Sequence, residues 1–213
     1  MAMDATRFRA WVAETARLVA ADADRLTRLD AAIGDGDHGI NLSRGFQAAV
    51  AMLEETAPAT PRAVLAGVGR ALVSKTGGAS GPLYGTGFRA AAKALGEDPD
   101  VTGVQLGAAL AAAVDGIRQL GAAGPGDKTM VDALEPAVHA YQAAIDTGMD
   151  LAGAARAAAE AAVRGLADTV PMQARKGRAS YLGPRSVGHE DPGAASAALI
   201  LQALATVTAG ETG

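Results

Sequence analysis

Apolar side chains return at steps of three and four residues along almost the whole 213-residue chain, and that rhythm decides the fold class. In the opening segment Phe8, Trp11, Val12, Leu18, Val19, Leu26 and Leu29 fall on one stripe; later, Leu106, Leu110, Val114, Ile117 and Leu120 repeat it. Such spacing lines one face of an α-helix, where side chains three or four apart stack on the same side. No stretch alternates apolar and polar residues in steps of two, and none is rich in β-branched or aromatic residues, so no strand is expected. Helix starts are marked by Thr60-Pro61 and Asp191-Pro192, each a capping oxygen followed by a proline at the first helical position. Eight helices are predicted, near 4–28, 38–55, 61–75, 80–96, 101–121, 129–147, 150–172 and 192–208. Pro136 falls inside the sixth, where its missing N–H should kink the helix or mark its true beginning.

Helices of similar length joined by several short connections favour antiparallel neighbours. The expected fold is therefore all-α, an up-and-down barrel or bundle of eight helices. Hydrophobic residues make up 49% of the chain but aromatic ones only 3%, so closely packed Ala, Leu and Val must build the core. The length suits a single domain over 1–213, and neither a linker nor a fixed-period repeat divides it.

Composition also excludes function classes. A net charge of −4 and a pI near 5.4 argue against a nucleic-acid binder, which needs a basic face. Cysteine is absent, which removes disulfides, thiolate metal sites and cysteine nucleophiles. No apolar run reaches the roughly 20 residues that span a bilayer, and residues 1–11 carry Asp4, Arg7 and Arg9 with no apolar signal core. A soluble cytoplasmic protein is expected. No serine sits in a nucleophile-elbow frame, so a hydrolase triad has no support.

Four polar, glycine-rich connections interrupt the helices, at 30–41, 76–87, 121–129 and 173–193. They follow the first, third, fifth and seventh helices, and in an antiparallel array those connections share one end. One composite site is expected there. The first connection holds Asp30, Asp35 and Asp37, with Gly34, Gly36 and Gly39 allowing tight turns. Crowded carboxylates repel unless a cation neutralises them, and oxygen-only ligation suits a hard ion such as Mg²⁺ or Ca²⁺. An EF-hand is ruled out: counted from Asp35, the glycine position 6 is Ile40 and the ligand position 12 is Phe46. Few protein ligands with open coordination suit Mg²⁺ shared with phosphate oxygens. The second connection opens a helix with glycines and can cradle a phosphate, although it lacks the Gly-Lys-Ser/Thr ending of a P-loop and a flexible turn capped by Ser80 explains it equally well. In the third, Asp127 or Thr129 suits an N-cap, and Met130 suits the core better than an adenine face. The fourth carries Arg175, Lys176, Arg178 and Arg185 in an otherwise acidic protein, as a basic lid would over a polyanion, or as a solvated loop would. His139 reads as structural; His38 and His189 fall in the site as nucleotide contacts or proton handlers.

Taken together, Ile33-Gly34-Asp35-Gly36-Asp37-His38-Gly39, Gly77-Gly78-Ala79-Ser80-Gly81-Pro82-Leu83-Tyr84-Gly85, Gly126-Asp127-Lys128-Thr129-Met130, the run from Ala174 to Gly183 and Gly188-His189-Glu190-Asp191-Pro192-Gly193 resemble the nucleotide-binding L subunits of bacterial dihydroxyacetone kinases. The resemblance covers nearly the whole chain in order. It implies an eight-helix antiparallel barrel holding ADP (or ATP) at one end through Mg²⁺ ions. By position, Asp30, Asp35 and Asp37 are implied metal ligands. His38, Gly39, Asn41, Ala79, Ser80, Gly121, Met130, Arg178, Asp191, Pro192 and Gly193 are the implied nucleotide pocket, with Arg178 assigned to catalysis. Ile40 stands where the family often has a small hydroxylated residue and leaves only its backbone N–H for a phosphate.

The implied partners are a K subunit that holds dihydroxyacetone and an M subunit whose phosphohistidine recharges ADP. Two rival readings stay open: a subunit that uses free ATP on dihydroxyacetone or another short keto-sugar, and a nucleotide-loaded module that reports to a transcription regulator. The oligomeric state, a homodimer included, is open as well.

Overall fold

Small residues set how closely the helices approach. The computed structural model describes residues 2–210; Met1 and residues 211–213, the ends of the expected 1–213 domain, lie outside them. Its helices are α1 (Ala5–Ala21), α2 (Ala23–Ile33), α3 (His38–Thr56), α4 (Pro61–Lys75), α5 (Ser80–Leu95), α6 (Gly103–Gly121), α7 (Val131–Asp146), α8 (Leu151–Asp168), a 3₁₀ segment (Arg178–Ser186) and α9 (Pro192–Ala209). Side-chain caps start several of them: Asp4 for α1, Thr60 for α4, a Thr102–Gln105 capping box for α6, Asp150 for α8 and Asp191 for α9. Among the described residues the only β pairing is an isolated bridge between Met3 and Val101.

Eight helices close a ring. From α3 to α9 each packs on the next, and α1 packs against both α9 and α3. The expected all-α barrel is therefore present, with one addition. The first predicted helix, 4–28, is two helices, because Asp22 leaves helical geometry at φ −103°, ψ 9°. Beyond that break α2 runs on to Ile33 and packs on α3, α9 and the 3₁₀ segment. Asp30 thus sits on a helix and not in a loop. The helix predicted over 150–172 stops at Asp168.

The wall between α7 and α8 shows what alanine and glycine permit. Ala154, Ala155, Ala158, Ala161 and Ala162 are buried on one face of α8. A Cβ on Gly165 would lie 2.3 Å from the Asp132 carbonyl oxygen, so only glycine fits at that crossing. Pro136 lies inside α7, which begins before it at Val131. Lacking an N–H, it leaves the Asp132 carbonyl without its helical donor.

Inside the ring Phe8, Trp11, Phe88 and Phe46 form a chain of tilted and edge-on aromatic contacts. The Trp11 Nε1–H donates to the Ile200 carbonyl at 2.9 Å, which satisfies the indole where α1 meets α9. An apolar void of about 50 Å³ remains among Trp11, Leu65, Phe88, Leu110 and Leu201. Helix α9, at 18 residues, is long and apolar enough to cross a membrane by those two criteria, contrary to the sequence expectation. Its place in the wall between α8 and α1, with 61% of its residues buried, accounts for the apolarity instead.

Candidate functional site

All four glycine-rich connections meet at one end of the barrel, around an open cavity of about 510 Å³. Its wall takes Asp30, Gly34, Asp35, Asp37 and His38 from the first connection and Gly78, Ala79 and Ser80 from the second. The third gives Gly121, Lys128, Thr129 and Met130, and the fourth Lys176, Arg178, Asp191, Pro192 and Gly193. The antiparallel order predicted this convergence.

Asp30 organises the acidic corner. Its Oδ2 accepts the backbone N–H groups of Asp37 at 2.9 Å and His38 at 3.1 Å, and so caps the start of α3 from the end of α2. A Cβ on Gly34 would stand 2.1 Å from Asp30 Oδ1, so the turn needs glycine there. Carboxylate oxygens of Asp30, Asp35 and Asp37 all lie within 4.8 Å of one another. Across the cavity mouth Arg178 Nη2 reaches Asp35 Oδ2 at 3.1 Å. An all-oxygen cluster of this size fits a hard divalent cation.

Beneath the corner lies a buried polar chain. His38 Nε2 is 2.9 Å from Ser196 Oγ, which is 2.7 Å from the Tyr84 hydroxyl, and the Gly193 carbonyl accepts from this pair. Burial outweighs the nearby Asp30 and Asp37 charges and lowers the His38 pKa, which favours the neutral ring. Desolvation also raises the Tyr84 pKa, keeping the phenol protonated.

The first turn of α5 has no side-chain cap: Ala79 precedes it, and the Ser80 hydroxyl turns back to the Gly77 carbonyl. Helical N–H groups facing a cavity without a cap attract anions. On the next side Asp132 accepts the N–H groups of Gly126 at 2.5 Å and Thr129 at 2.8 Å, which folds the third connection. Asp191 caps α9 through the Ala194 N–H at 2.7 Å. Burial pushes its pKa up to about 7; the Ala194 N–H opposes this, Asp132 adds to it, and Lys128 and the Gly193 N–H oppose it.

Three implied pocket residues, Gly39, Ile40 and Asn41, do not line the cavity. Successive helical residues turn by about 100°, which carries these positions off the wall after His38. Ile40 stands 60% exposed, and the Asn41 side chain accepts from Arg44 Nη2 behind the second connection. Of the basic residues in the fourth connection, Lys176 and Arg178 line the cavity while Arg175 and Arg185 do not. His189 and His139 are exposed, so neither is a core histidine, and His189 lies off the wall.

Sequence reasoning missed Lys128, which is 1% exposed, and the apolar slot of Leu83, Ile117, Leu120 and Ala123 around Met130. The α6 stripe that named Ile117 and Leu120 was the available signal for the slot. Nothing in the string separates a buried loop lysine from a solvated one.

Residues 32–206 match the DAK2 domain family. Among curated proteins, the chain is 40% identical over 205 residues to the "PEP-dependent dihydroxyacetone kinase, ADP-binding subunit DhaL" of Escherichia coli, covering 96% of this chain and 98% of that one. It is also 40% identical over 198 residues to the L-erythrulose 1-kinase of Mycolicibacterium smegmatis, covering 91% of this chain but 34% of that protein. Among solved structures, the dihydroxyacetone kinase from C. freundii in complex with AMP-PNP and Mg²⁺ superposes with a TM-score of 0.72 at 26% identity, over 97% of this chain and 34% of that one. A family match over most of the chain and an end-to-end relative at this identity lead to one assignment: the chain belongs to the DAK2 domain family.

Proposed function

We propose that this chain is the ADP-binding subunit of a dihydroxyacetone kinase, a cytoplasmic phosphotransferase component that carries phosphate on a magnesium-bound nucleotide. One observation carries the reading: three aspartates within 4.8 Å face Arg178 across a cavity of nucleotide size. Asp30, Asp35 and Asp37 would hold Mg²⁺, which when bound neutralises phosphate oxygens. The uncapped start of α5 at Ala79 and Ser80 takes phosphate oxygens, with His38 on the cavity wall beside them. The slot of Leu83, Ile117, Leu120, Gly121 and Met130 receives the base. Arg178 neutralises charge on the transferring phosphoryl group, so this chain contributes positioning and electrostatics. Asp191, Pro192 and Gly193 close the floor.

The substrate is then brought by a second protein. A K subunit holding dihydroxyacetone docks over the mouth, against the 3₁₀ segment that carries Arg178 and the 88% exposed Tyr181, and a phosphohistidine M subunit reloads the ADP. The dihydroxyacetone kinase subunit from E. coli, matched end to end, supports this version.

A second reading, free ATP as donor and L-erythrulose or a related keto-sugar as acceptor, is favoured by the match to the M. smegmatis kinase. Mixing the purified chain with a K subunit and dihydroxyacetone separates the two. Product that forms only when the M subunit and phosphoenolpyruvate are added supports the first reading. Rapid multiple turnover on ATP alone overturns it in favour of the second.

A further inference from the structure

Lys128 is the one lysine held almost wholly inside the described structure, at 1% exposure. Its backbone adopts φ +60°, a left-handed conformation that side-chain-bearing residues rarely take. That turn directs the side chain inward. The ammonium group has three N–H bonds, and three carbonyl oxygens accept them: Met172 at 3.0 Å, Ser186 at 2.7 Å and His189 at 2.6 Å. Met172 lies near the beginning of the connection between α8 and α9, and Ser186 and His189 lie towards its end. A single point thus ties the two ends of the strap together, on either side of Arg178.

Other bonds support it locally. The Arg175 N–H donates to the Asp127 carbonyl, the Ala174 N–H to Ser186 Oγ, and the Gly188 N–H to the Val170 carbonyl, while Arg25 pairs with Glu190. Each of these joins two points, whereas Lys128 joins three to the barrel. Desolvation lowers the Lys128 pKa, and the buried Asp191 near it opposes this in part.

Arg178 rides on this strap. Its side chain is 72% exposed, so packing does little to place it, and its reach to Asp35 depends on where the strap backbone runs. We infer that Lys128 is a positioning residue, which pins the strap over the cavity and thereby sets Arg178 opposite the aspartate cluster. The inference rests on the magnesium-nucleotide reading only for what Arg178 does once placed.

A double-mutant cycle with a proteolytic readout tests it. Lys128→Met keeps the bulk and removes every donor; Lys128→Gln keeps part of the donor set and is the variant to use should the first fail to fold. In both, trypsin should cut between Arg175 and Arg185 several-fold faster than in the parent chain, by the loss of buried hydrogen bonds. Calorimetric binding of ADP with Mg²⁺ should weaken by about tenfold in the Lys128 variant and in Arg178→Ala. The double variant should weaken by far less than the product of the two, since one change already removes what the other supplies. Unchanged cleavage in the strap overturns the inference, and so do losses that multiply. If the parent chain binds no ADP, the nucleotide reading fails, and the cleavage rates still decide whether Lys128 pins the strap.

Discussion

Arg178 Nη2 lies 3.1 Å from Asp35 Oδ2, so the basic strap after α8 touches the acidic turn before α3 across the mouth of the barrel. Both side chains are substantially exposed, at 72% and 38%, and an ion pair in that setting contributes at most about 1 kcal/mol to stability. Its consequence is geometric: opposite charges face each other with an open cavity between their elements.

Asp35 and Asp30 should therefore separate in mutagenesis. Asp35→Ala should abolish ADP retention and leave helical content and Tm close to those of the parent. Asp30→Ala should lose binding and also stability, by about 1–2 kcal/mol, because its carboxylate accepts the Asp37 and His38 N–H groups at the start of α3. Circular-dichroism melts beside ADP titrations check both, and equal melts for the two variants would contradict the capping role.

Arg178→Ala should leave the melting curve within about 0.5 kcal/mol of the parent, as expected for an exposed residue. Phosphoryl transfer in the reconstituted system should fall far more, by about 100-fold or greater if the arginine stabilises developing charge. A drop of less than threefold would remove Arg178 from the chemistry.

Asp191 makes stability depend on pH in a defined direction. Its pKa in the fold is about 7 against an ordinary 3.8, so between those values the folded chain holds a proton that the unfolded chain has released. Stability from this group is complete below pH 4 and declines as pH rises towards 7, by on the order of a few kcal/mol. The buried groups that act on it are Asp132 and Lys128, with the Ala194 and Gly193 N–H groups. Asp191→Asn retains a capping oxygen and cannot ionise. Relative to that variant the parent should lose Tm steadily from pH 4.5 to 7.5; parallel curves would show that Asp191 stays ionised throughout.

Much of this architecture was legible from residue order. The three-and-four rhythm and caps such as Thr60-Pro61 and Asp191-Pro192 located the helices because helix geometry and unsatisfied N–H groups impose those signals locally. The convergence of four connections followed from antiparallel order. The break at Asp22 was hidden, since an aspartate between alanines suits an exposed helix position as well as a bend. Lys128 was hidden for a related reason: its three acceptors lie 44 to 61 residues away in sequence, and only the folded backbone brings them together. Pro136 misled in part, because its cost is borne at a crossing where Gly165 sits against the freed carbonyl.

That crossing gives a stability prediction away from the site. Gly165→Ala would place a methyl 2.3 Å from the Asp132 oxygen and push α7 from α8, costing about 2–3 kcal/mol in chemical denaturation. Asp132 also folds the third connection, so ADP affinity should weaken as well. A variant as stable as the parent would mean that the two helices separate freely.

The central claim is that Asp30, Asp35 and Asp37 grip a divalent cation which in turn anchors a nucleotide diphosphate. Calorimetric titration of ADP into the parent chain, with Mg²⁺ and then with EDTA, tests it most directly. Saturable binding at one ADP per chain that disappears with EDTA is the predicted result. Equal binding in the presence of EDTA, or none under either condition, would contradict it.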